Sequence, residues 1–171
     1  MAEIIKTYSQ RMGAARFIGK KYTNSDRVNG TFGAKWGEWF SKGWFDEIEA
    51  QIDNSAESIC EDGGAYIGLM RGDDKELFEY WIGIFVPQTT TAPEGFDYID
   101  FPESDLGVCW IYGKEKEVYG LEGKCGMRLE QDGFKINYGW CFERYACPRF
   151  TEPDEDGNII LDICFYVEKP R

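Results

Sequence analysis

Histidine is absent from this chain of 171 residues. That removes every Ser-His or Cys-His catalytic pair and all His-ligated metal sites. Basic residues are scarce as well. Lys and Arg total 19 against 31 Asp and Glu, a formal charge of −12. Nucleic acid and anionic membrane are poor partners for such a surface, because phosphate contacts need a basic one. The six cysteines (Cys60, Cys109, Cys125, Cys141, Cys147, Cys164) form no CxxC pair. Most lie in apolar runs such as VCWIY and DICFY, where free cysteine packs as a small hydrophobe. Without a signal-like N-terminal segment, this cysteine usage implies a reduced, cytoplasmic protein without a disulfide framework. No apolar run approaches the roughly 20 residues of a membrane span. Gly120, Gly123 and Gly126 lack the Lys-Ser/Thr of a phosphate-binding loop, and no other glycine set makes a GxGxxG motif. No cofactor and no metal site is expected.

Aromatic residues, by contrast, are plentiful: 12 Phe, 10 Tyr and 6 Trp. So many rings in one small domain favour a ring-lined cavity, although core packing uses rings too. Extended-type residues predict strands over 11–23, 65–71, 77–87, 105–114, 134–150 and 159–168. Trp36, Trp39, Phe40, Trp44, Ile48 and Ile52 share one helical stripe and predict a helix over 35–52. A weaker helix is expected over 115–131, and 88–103 reads as a connection. Asp62-Gly63-Gly64 marks a turn before the third predicted element, and Gly72-Asp73-Asp74 and 154–158 read as acidic hairpin turns.

The order strand, helix, strand, strand thus occurs twice. The expected fold class is α+β, a single domain over 1–171 with halves of about 1–88 and 104–171. One antiparallel sheet would carry both helices on one face and a ligand groove between the halves, with its opposite face open.

FEYWIGIFVP, PEGFDYIDFPESDLGVCWIYG and FERY, in this order after an opening RFIGKKY and an aromatic helix, resemble the GyrI-like small-molecule-binding family. This family is also the effector-binding domain of AraC- and MerR-type regulators. The resemblance implies the same doubled module and a groove for bulky hydrophobic, often cationic, molecules, with an acidic residue among aromatics. No helix-turn-helix segment accompanies it, so direct DNA binding is not expected.

Glu143 matches the family's acidic pocket residue. Alternation in WCFERY places Cys141, Glu143 and Tyr145 on one strand face and Trp140, Phe142 and Arg144 on the other. A carboxylate among rings is poorly solvated, so it would pair with a ligand cation or, with a raised pKa, serve as a general base. The alternative is a half-exposed Glu143 paired with Arg144 or Lys135. The ring candidates are Tyr145, Tyr80, Trp81, Phe85, Trp110, Tyr166 and, from the helix, Trp39. Binding of a bulky hydrophobic small molecule, cations included, is the leading expectation. The resemblance also implies two rivals: a hydrolase of strained cyclopropanoid electrophiles with Glu143 as catalytic base, and a protein-binding inhibitor of the topoisomerase-inhibitor type.

Overall fold

A computed structural model describes residues 1–53, 59, 61–72 and 77–168 of the chain. The tip of the expected turn at Asp73-Asp74 lies outside the described residues. Eight strands form one sheet: β1 (Glu3–Met12), β2 (Ala15–Thr23), β3 (Tyr66–Arg71), β4 (Glu79–Val86), β5 (Asp97–Phe101), β6 (Ser104–Gly113), β7 (Ile136–Tyr145) and β8 (Ile159–Val167). Their order is β1-β6-β8-β7-β3-β4-β2-β5, and every pairing is antiparallel. The α+β class with a single antiparallel sheet is therefore the observed one.

Two strands lie outside the expected set. β1 pairs with β6 at one edge and β5 with β2 at the other. The single helix expected over 35–52 is broken into α1 (Gly33–Lys42) and α2 (Trp44–Glu49). Gly43 between them adopts φ +67°, a left-handed conformation that suits glycine, and its N–H bonds back to the carbonyls of Trp39 and Phe40. The turn folds α2 back so that Phe45 and Ile48 bury beside Trp39. The weaker helix shortens to α3 (Glu122–Gln131), preceded by a 3-10 turn at Glu115–Glu117.

Alternation along each strand sorts the core into two faces. On one face, α1 and α2 cover Ile18, Met70, Tyr80, Ile82 and Ile84. On that same face, α3 covers Cys109, Ile111, Leu161, Ile163 and Phe165. The opposite face is not open, contrary to expectation. Phe17, Leu69, Trp81, Phe85, Leu106 and Phe142 make a continuous buried cluster there. It closes because the sheet curls. Phe101 on edge strand β5 stacks on Tyr166 of β8 with centroids 5.4 Å apart. Five strand intervals separate those residues in the sheet order, about 24 Å if it were flat. Ile59 packs against this cluster as well, its carbonyl accepting a hydrogen bond from the Gly13 N–H.

Candidate functional site

The helix-covered face contains a cleft of about 1130 Å³ above the β3–β7 pairing. Tyr80 on β4, Tyr66 and Met70 on β3, and Glu143 and Tyr145 on β7 line it from the sheet. Phe32, Trp36 and Phe40 line it from α1 and its approach, and Tyr119 and Glu122 from the α3 side. Strand alternation fixes the floor: Glu143 and Tyr145 point toward the helices, while Phe142 faces the other way.

Glu143 is 6% exposed. Its Oε1 accepts a hydrogen bond of 2.6 Å from the Tyr80 hydroxyl, which itself accepts one of 3.0 Å from the indole N–H of Trp36. Phe32 stacks on the Tyr80 ring at 4.3 Å with an interplanar angle of 2°. Trp36 meets Tyr145 edge-on at 4.8 Å. Burial pushes the Glu143 carboxyl up to about 7, hydrogen bonds from Tyr80 and Tyr145 pull the other way, and the charge of Glu122 adds to the rise. Burial and the Glu143 charge hold both phenols well above the usual tyrosine range, so they stay protonated donors.

Among the described residues, no Lys or Arg forms an ion pair with Glu143. Arg144 turns to the far face and pairs with Asp162 and Asp62 instead. Lys135 pairs with Glu168. The cleft lining carries Glu49, Glu115, Glu122 and Glu143 against the single guanidinium of Arg27. Arg27 is occupied at the mouth, bonded to Asn24 Oδ1 and the Gly30 carbonyl and lying 4.5 Å over the Phe32 ring. The site thus offers an unneutralised buried carboxylate surrounded by ring faces and edges. That arrangement suits an apolar cation, and it can also hold a base poised near neutrality.

Of the residues singled out from sequence, the structure brings Glu143, Tyr145 and Tyr80 together in the cleft. Trp81, Phe85, Trp110 and Tyr166 lie on the opposite face, packed in or against its core, and do not line the cleft. Trp39 is fully buried beneath α1, with its indole N–H donating to the Tyr22 hydroxyl at 2.9 Å. The walls missed from sequence are Phe32, Tyr66, Phe78 and Tyr119 together with Glu122. Phe32 and Tyr119 precede helices in loops, where no periodicity marks them.

No family model and no curated protein matches the chain. Solved structures do. SAV2435 bound to tetraphenylphosphonium superposes with a TM-score of 0.63 at 14% identity, covering 96% of this chain and 94% of that one. The C-terminal domain of EcmrR gives 0.61 at 10% identity, covering 96% and 98%. A hydrolase from Listeria innocua gives 0.55 at 10% identity, covering 95% and 92%. At these identities the likeness is one of fold.

Proposed function

We propose that the cleft binds a bulky hydrophobic cation, with Glu143 as the charge partner and Phe32, Trp36, Tyr80 and Tyr145 as the surrounding rings. One observation carries this reading: a buried carboxylate, bonded only by neutral donors, at the floor of an aromatic cleft. Burying an unpaired charge is unfavourable, and a ligand cation removes that penalty while each desolvated cation–ring contact adds about 2 kcal/mol. The tetraphenylphosphonium held by SAV2435, which shares this fold, is a ligand of that chemistry. Drug or xenobiotic sensing or sequestration by one domain over residues 1–171 is the role that follows. One buried Glu in a ring-lined cleft favours a small ligand over a protein partner that reads surface acidity. Among the described residues, no helix is long and apolar enough to cross a membrane.

Calorimetric titration with tetraphenylphosphonium tests the reading. Saturable binding that weakens in Glu143→Gln supports it, and no binding to the wild type overturns it.

A second reading has an observation of its own. A carboxyl pushed up to about 7 can take a proton from water at neutral pH, the property a hydrolase needs, and the Listeria innocua hydrolase shares the fold. Glu143 would then activate water against a strained electrophile while the rings stabilise developing positive charge. Turnover of such a substrate, abolished in Glu143→Gln with binding retained, distinguishes enzyme from binder.

A further inference from the structure

The cleft lies over the β3–β7 pairing, the seam where β2-β4-β3 meets β7-β8-β6. Tyr66 opposite Tyr145 closes one end of that seam. Both chain segments at this end line the cleft, Gly64 and Ala65 leading into β3 and Cys147 and Phe150 following β7. Beneath them, on the far face, the same two segments are tied together. Asp62 accepts from Arg149 at 3.2 Å on each oxygen, and Arg144 Nη2 lies 3.2 Å from Asp62 Oδ2. Arg144 and Arg149 both donate through Nε to Asp162 at 2.8 Å. Side-chain exposure grades outward, from 0% at Asp162 and 2% at Arg144 to 13% at Asp62 and 18% at Arg149. The inner pair is sealed in the core, and the outer pair is the one water can reach. Neither Asp62 nor Arg149 lines the cleft.

We propose that the Asp62–Arg149 pair is a clasp across the end of the seam that sets the width of the cleft, making both positioning residues that decide the ligand size it admits. The proposal rests on the ligand-binding reading above. An antiparallel seam of six residue pairs can change its splay by small backbone rotations, and among the described residues the ion pairs across its end are those of Asp62 with Arg149 and Arg144. With the clasp closed, the Ala65 and Phe150 walls hold one separation. With it open, Asp62 keeps its contact with Arg144 on β7 but none with the segment that follows β7, and the walls part.

The test uses the full chain carrying Asp62→Asn, which keeps the side-chain shape and removes the charge. Arg149→Lys serves as a second variant, keeping the charge while losing the guanidinium fork. Affinities are measured for tetraethylammonium and tetraphenylphosphonium, a small and a large cation. The ratio of the two dissociation constants is expected to shift about tenfold toward the larger ion in either variant. An equal factor for both ions, or no change, overturns the clasp. A readout without ligand accompanies it: the distance between spin-labelled noncanonical residues at Ser41 on α1 and Lys124 on α3. A longer, broader distance distribution in the variants is expected, and an unchanged one overturns the clasp even if both ions bind. Failure of the wild type to bind either ion, with the distance lengthened in the variants, overturns the binding reading and leaves the clasp standing. If Asp62→Asn fails to fold, the same outcomes measured on Arg149→Lys support or overturn the clasp.

Discussion

Tyr80 and Glu143 are two strands apart, yet the Tyr80 hydroxyl donates to the Glu143 carboxylate at 2.6 Å. The bond crosses β3 directly above Gly68, which pairs with Glu143 on one side and Ile82 on the other. A Cβ at Gly68 would lie 2.4 Å from the Tyr80 hydroxyl and 2.6 Å from Glu143 Oε1. The missing side chain is therefore what lets the phenol and the carboxylate meet.

Gly68→Ala should break that contact by forcing both side-chain ends outward. Overpacking of this kind destabilises by about 1–3 kcal/mol. Cation affinity should fall along with stability, because Tyr80 no longer orients the carboxylate. Thermal melting and titration with tetraphenylphosphonium read both effects. An alanine variant with wild-type affinity would show that the Tyr80 bond does not organise the site.

Glu143→Gln keeps the side-chain volume and one acceptor but deletes the charge. A hydrogen-bonded charged contact is worth about 1.5–3 kcal/mol, so affinity for tetraphenylphosphonium should drop roughly 10- to 150-fold. A neutral aromatic ligand of similar size should bind almost unchanged, since ring stacking does not use the charge. Equal losses for both ligands would move the cation site to another carboxylate, with Glu122 the nearest candidate on the α3 wall.

The residues legible in the sequence are those whose position follows from local periodicity. Period-two alternation in WCFERY put Glu143 and Tyr145 on one face, and the same rule separated Tyr80 from Trp81 and Phe85. Alternation does not say which face the helices will cover. Trp81, Phe85, Trp110 and Tyr166 were candidates for that reason and belong to the closed far face. The curl of the sheet that buries them depends on pairings between its outer strands, which no short window contains. Trp36 and Trp39 are three residues apart on one predicted stripe, but one lines the cleft and the other is core. The difference comes from the Gly43 turn, which brings Phe45 and Ile48 under Trp39. Gly43 lies inside the stretch that reads as one helix, and a glycine there does not specify the direction in which the chain folds back. β1 and β5 are edge strands rich in polar residues, so neither gave the apolar signal of a core strand.

Salt separates the cleft from the acidic surface. Exposed pairs are screened beyond about 8 Å at physiological ionic strength, whereas a contact inside a water-poor cleft is screened far less. Tetraphenylphosphonium affinity measured between low and high salt should therefore change by less than about tenfold. A steeper fall would place the cation on the exposed carboxylates at the mouth.

The pH dependence of stability carries the sign of the Glu143 shift. Its carboxyl has an ordinary value of 4.5 and is pushed up to about 7 in the folded chain, chiefly by burial. Between those values the folded state holds a proton that the unfolded state has released. Stability from this group is therefore fully present below pH 4.5, declines as pH rises, and is lost above about 7. At about 1.4 kcal/mol per pH unit, the folded protein loses roughly 3 kcal/mol across that window. Glu143→Gln has no carboxyl to ionise, so its stability should gain on the wild type steadily from pH 5 to 7 and by a constant margin above. Denaturant unfolding of both proteins over pH 5–8 measures the difference directly. Subtracting one from the other removes the opposite trend of Asp62, Glu79 and Asp100, whose carboxyls are held low by arginine partners. Saturating tetraphenylphosphonium should flatten the wild-type decline, because the cation favours the ionised carboxylate that burial disfavours. A wild-type curve parallel to that of Glu143→Gln would mean that Glu143 ionises as it does in water, and the buried, unneutralised carboxylate on which the site reading depends would be gone.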